Sequence, residues 1–81
     1  MHNQLDEIKK EVTERIRKEF NAKFDGNKTH FAKSAGCDEK TIRLLFDFGQ
    51  GMTLNLLFKL ASALEMKPSE LLDGLELRKK G

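Results

Sequence analysis

Residues 27–72 read NKTHFAKSAGCDEKTIRLLFDFGQGMTLNLLFKLASALEMKPSELL, and their spacing predicts four short helices in succession. Asn27 is a good N-cap, since its side-chain oxygen can accept from an unpaired helix amide. It launches a helix predicted over Lys28 to Ala35, with Phe31, Ala32 and Ala35 on the inner face. Gly36 ends that helix, and Asp38 is placed to cap the next, which runs from Glu39 to about Phe46. Ile42, Leu45 and Phe46 stand at i, i+3, i+4 and turn inward. Asp47 to Met52 reads as a loop marked by Gly49 and Gly51. Thr53 caps a helix from Leu54 to about Leu64, with Leu56, Leu57, Leu60, Ala61 and Leu64 as core candidates. Pro68 opens a last helix to Asp73, where a proline at the first position forfeits nothing because its amide has no helical partner. Leu71 and Leu72 are expected to pack inward, and Gly74 ends the helix.

Upstream, Leu5, Ile8, Val12, Ile16, Phe20 and Phe24 repeat at three or four residues and predict one long helix from Leu5 to Phe24. Its remaining faces are charged and read as solvated, with Glu11–Arg15 and Glu14–Lys18 at helical pair spacing. Asp25-Gly26-Asn27 stops it. The expectation is an all-α, five-helix chain. It forms a single domain over residues 1–81, with a core of about 12–73 and a flexible tail at 75–81. Arg78, Lys79 and Lys80 in that tail read as solubilising.

Composition narrows the function classes. Hydrophobic residues are 38% and charged residues 35%, a balance that suits a folded helical chain and not a disordered or membrane one. No stretch approaches the roughly 18 apolar residues of a membrane span. The charged N-terminus has no signal-peptide character, so a cytoplasmic location is expected. Net charge is only +2, and residues 1–20, 21–48 and 49–81 carry five basic side chains each against five, four and four acidic ones. Any nucleic-acid contact must therefore come from local placement of charge. Cys37 is the only cysteine, which excludes an intrachain disulfide and reads as a small core residue at the turn. His2 and His30 lie far apart, so no metal site and no cofactor is expected. Neither a nucleophile elbow nor a phosphate-binding glycine loop occurs, and no enzyme activity is expected.

The pair of helices meeting at Ala35-Gly36-Cys37-Asp38 leaves the second one, about two turns long, standing outward. A helix of that size fits the DNA major groove, where its first residues meet base edges. The whole stretch resembles the Cro/repressor-type helix-turn-helix family, whose fold is called lambda-repressor-like. The resemblance spans about residues 12 to 73. It is carried by Asn27 at the cap, Phe31-Ala32, the turn at 35–38, Ile42 and Leu45, the six-residue loop, Thr53-Leu54 with Leu57 to Leu64, and Pro68 to Leu72.

That resemblance implies a transcriptional regulator, expected to be a repressor, that binds double-stranded DNA as a homodimer. By analogy Glu39, Lys40, Thr41, Arg43 and Leu44 would meet bases. Asn27, Lys28 and Thr29 would meet phosphates at a helix N-terminus, and Gly49, Gln50, Gly51 and Thr53 would grip the backbone on the other side. Three features favour an alternative, a protein-interaction module or the antitoxin of a toxin–antitoxin pair on the same fold. These are the acidic Glu39, a loop without basic residues, and the apolar Phe46, Phe48 and Met52. Phe48 and Met52 fit two readings, as caps on the core edge or as a pairing patch.

Overall fold

α1 (Gln4–Phe24) is a 21-residue helix whose stripe of Val12, Ile16 and Phe20 is buried. The computed structural model describes residues 4–48 and 52–76. Over these the chain is all helical, with α2 (Lys28–Ala35), α3 (Glu39–Phe48), α4 (Leu54–Ala63) and α5 (Pro68–Leu72) following α1. No helix among them is long and apolar enough to cross a membrane.

Local chemistry sets most of the boundaries. Asn27 Oδ1 accepts from the His30 amide at 3.0 Å, and Thr53 Oγ1 accepts from the Leu56 amide at 3.1 Å. Asp38 receives the Thr41 and Ile42 amides on its backbone carbonyl at 3.0 and 3.3 Å. At the start of α5 the Glu70 carboxylate accepts from the Lys67 amide at 2.9 Å. Gly36 sits at φ 73 and closes α2 with the Gly36 and Cys37 amides on the Lys33 and Ala32 carbonyls, at 3.2 and 3.0 Å. A Cβ at Gly36 would meet nothing within 4 Å. The glycine is therefore required by its backbone angle and not by lack of room.

The same closure recurs after α4 without a glycine. Glu65 lies at φ 57, with the Glu65 and Met66 amides on the Ser62 and Ala61 carbonyls at 3.0 and 2.9 Å. A left-handed conformation costs an L-residue about 1–2 kcal/mol, partly offset by the greater freedom glycine has when unfolded. Glu65→Gly is expected to stabilise the chain by about 0.5–1 kcal/mol. A thermal melt followed by far-UV circular dichroism checks this, and an unchanged or lower midpoint contradicts it.

The core is one cluster. α2 packs on α1, α3 and α4, while α5 joins α1 to α4. Phe31, Ile16, Ile42, Leu45, Leu60, Leu64 and Leu71 are fully buried. Four aromatic rings tie the first three helices together: Phe20 lies 5.0 Å from Phe31 and 5.2 Å from Phe46, and Phe24 lies 5.0 Å from Phe31. The one buried polar side chain among the described residues, Thr13, donates to the Lys9 carbonyl at 2.8 Å.

Several expectations need correction. α3 runs two residues past Phe46, so Asp47 and Phe48 belong to the helix and not to the loop. Leu5 is 47% exposed and Leu72 38% exposed, although the helical period assigns both to the inner face. Each lies near a helix end, and neither belongs to the core cluster of the described residues. Leu64 is buried but serves as the C-cap of α4, and Asp73 is the C-cap of α5. Leu75, expected in a flexible tail, is half-buried against the core, and its amide reaches the Leu72 carbonyl at 3.0 Å. Residues 78–80 lie outside the described residues.

The larger correction concerns α1, whose charges are not all a solvated face. Arg17 Nη2 donates to the Phe46 carbonyl at 2.5 Å, near the end of α3. Lys23 Nζ donates to the Leu64 carbonyl at 2.5 Å, at the end of α4. Arg15 Nη1 donates to the Leu71 and Asp73 carbonyls at 3.2 and 2.8 Å, at the end of α5. The last carbonyls of a helix have no partner within it, and they form the negative end of its dipole. Three cations of one helix therefore close the C-terminal ends of three others. Glu11 and Glu19 steady two of them, at 3.0 Å from Arg15 and 3.5 Å from Lys23.

Candidate nucleic-acid interface

α3 divides cleanly by burial. Ile42, Leu45 and Phe46 are buried, while Lys40, Arg43, Leu44 and Asp47 are exposed. The exposed four stand at i, i+3, i+4 and i+7, one stripe facing away from the core. Glu39 and Thr41 are half-buried at its margins. Among the described residues no other helix covers the stripe. Asp47, the acidic member, is eight residues beyond Glu39 and so about 12 Å further along the axis.

The side chains of α2 and α3 meet at Glu39. Its carboxylate accepts from the Thr29 hydroxyl and from Arg43 Nη2, the latter at 2.5 Å. The Thr29 hydrogen bond, then that of Arg43, holds its pKa below the ordinary carboxylate value. A lowered pKa means the bond contributes at neutral pH and is lost only as pH falls through and below the usual carboxylate range. This network joins three of the predicted residues in the free protein: Thr29 and Arg43 both donate to the Glu39 carboxylate. An i, i+4 pair this exposed adds little stability, and the guanidinium keeps further N–H groups to donate while it stays on Glu39.

The other predicted contacts fall into two groups. Asn27 uses its side-chain oxygen as a cap, leaving the NH₂ end to donate; Lys28 is half-buried beside it. Thr53 is exposed, and its hydroxyl accepts from Leu56 while keeping a proton to give. Gly49, Gln50 and Gly51 lie outside the described residues. The residues expected at phosphates thus flank α3 in sequence on both sides.

Of the apolar residues read as a possible pairing patch, Phe46 is in the core and Met52 is half-buried against it. The side chain of Phe48 is outside the described set. The two most exposed large apolar side chains among the described residues lie elsewhere, at Leu54 and Phe58 of α4, which are 71% and 55% exposed and one turn apart. Both fall outside the core set that the helical period assigns to α4, which is Leu56, Leu57, Leu60, Ala61 and Leu64.

Cys37 is half-buried and packs against the core. Burial pushes its thiol pKa up, against a smaller opposing effect of Lys59. His30 stands edge-on to Phe24, ring centroids 5.1 Å apart. Among the described residues no group of His, Cys, Asp or Glu is arranged to hold a metal ion. Compared with protein-family models, with characterised proteins and with solved structures, the chain matches none.

Proposed function

We propose that this chain is a sequence-specific DNA-binding regulator of the Cro/repressor, lambda-repressor-like type, reading the major groove with α3. One observation carries the reading: α3 buries Ile42, Leu45 and Phe46 and leaves Lys40, Arg43 and Leu44 uncovered directly after a tight three-residue turn from α2. Lys40 and Arg43 can donate to guanine O6 and N7, and Leu44 can lie against a thymine methyl. The α2 N-terminus, with Lys28, and the Thr53 hydroxyl offer phosphate contacts that fix register. A homodimer would place two α3 helices about 34 Å apart, one turn of duplex, on a two-fold site. Occupying such a site blocks other proteins from it, which is repression.

Fluorescence-anisotropy titration against duplexes selected from a randomised pool tests this. Binding is expected to weaken steeply with salt. Arg43→Ala is expected to lose about 1–3 kcal/mol on the selected site. Unchanged affinity in that variant removes Arg43 from the groove, and no salt-sensitive binding to any duplex removes the reading.

A second reading, a protein-interaction module or antitoxin component on the same fold, is favoured by exposed Leu54 and Phe58. These lie on α4, away from the α3 stripe in sequence, so the two activities are separable. Phe58→Ser is expected to abolish partner capture while leaving α3 contacts in place. Co-purification with candidate partners checks it.

A further inference from the structure

We infer that Glu39 and Arg43 act as one reading unit that selects a G·C base pair, with Glu39 accepting from cytosine N4 and Arg43 donating to guanine. The inference rests on the DNA-binding reading above and specifies which bases the α3 stripe takes.

The geometry comes first. Glu39 is the first residue of α3, and the first residues of a groove-entering helix are the ones that reach base edges. Its carboxylate is fixed from both sides, by the Thr29 hydroxyl of α2 and by the Arg43 guanidinium one turn along α3. The two oxygens are shared between these donors, Oε2 facing Thr29 and Oε1 facing Arg43. A carboxylate oxygen has more than one lone pair, so each can take a further donor without releasing the first. The acid and the arginine therefore arrive at DNA together.

The chemistry then discriminates. An ionised carboxylate only accepts, and a guanidinium only donates. In the major groove a G·C pair sets the cytosine N4 donor beside the guanine O6 and N7 acceptors, so one pair offers a partner to each charge. An A·T pair also has a donor, adenine N6. It lies between adenine N7 and thymine O4, both acceptors that repel a carboxylate, and the thymine methyl blocks the far side. Against a bare phosphate Glu39 has no partner and repels. The same residue thus favours one base pair and disfavours indiscriminate contact with the backbone.

The test uses the full chain and a randomised duplex pool, with wild type and Glu39→Gln selected in parallel. Glu39 is partly exposed, and the Gln side chain keeps its shape, so the variant is expected to fold; far-UV circular dichroism verifies this. Wild type is expected to enrich a G·C pair at the contacted position, and changing that pair to A·T should weaken binding about tenfold. Glutamine pairs with adenine N6 and N7, so Glu39→Gln should shift the preferred base from cytosine toward adenine. It should also bind unrelated duplexes several-fold more tightly, since a negative charge is gone. Thr29→Ala, which frees one side of the carboxylate, should lower the G·C over A·T preference several-fold. If wild type enriches a motif that Glu39→Gln reproduces unchanged, DNA binding stands and this inference falls. If neither protein enriches any motif, the DNA-binding reading falls and takes this inference with it.

Discussion

Phe31→Ala is expected to lose about 3–5 kcal/mol, the largest single effect in the chain. Phe31 is fully buried and its ring meets Phe20 and Phe24, each at 5.0 Å between centroids. Truncation removes a whole ring from a close-packed cluster, and the surrounding helices can collapse only in part. A chain of 81 residues has a total stability on the order of 4–12 kcal/mol, so the variant is expected to sit near the edge of folding. Phe31→Leu keeps most of the volume and should lose only about 1.5 kcal/mol. Urea titrations by far-UV circular dichroism measure both; Trp and Tyr are absent, so intrinsic fluorescence is a poor reporter. A Phe31→Ala midpoint equal to that of Phe31→Leu would mean the aromatic cluster contributes little.

Arg17→Ala is expected to lose about 1.5–3 kcal/mol, although Arg17 reads in sequence as one more charge on a solvated helix face. Its guanidinium donates to the Phe46 carbonyl and its carbon lies 5.2 Å from the centre of the Phe46 ring. A hydrogen bond from a charged group contributes about 1.5–3 kcal/mol, and a cation over an aromatic face about 0.5–1 kcal/mol more. One feature works against it. Arg17 Nε is buried with no hydrogen-bond partner, which offsets part of that gain. Arg17→Met separates the contributions, since it keeps an apolar stem and removes both the charge and the unpaired nitrogen. It should recover less than half of the loss seen with alanine. Hydrogen exchange adds a local readout: amides of α3 should lose protection more than those of α4 in either variant. Full recovery by methionine would show that Arg17 acts by packing alone.

How far sequence reveals this molecule depends on how local each cause is. The starts of α2 and α4 are legible because Asn27 and Thr53 each bond an amide three residues away. The buried faces of α2, α3 and α4 are legible because a repeat of three to four residues defines a side. The end of α3 is not. Asp47-Phe48-Gly49 has loop composition, and the helix continues to Phe48 where Arg17, 29 residues upstream of Phe46, satisfies a terminal carbonyl. A period also says nothing about what lies opposite it, which is why Leu5 and Leu72 could not be told from core positions. At the candidate interface the outward placement of Lys40, Arg43 and Leu44 follows from the same period. The coupling of Glu39 to Thr29 does not, since it joins side chains ten residues apart across a turn.

The helix ends held by α1 follow it along the chain by 29, 41 and 58 residues. During synthesis, then, α1 leaves the ribosome with three cations whose acceptors have not yet been made. The ends of α3 and α4 supply one acceptor each and that of α5 supplies two, so the set closes only once Asp73 is free. The nascent chain accordingly lacks part of this set of ties until α5 has emerged.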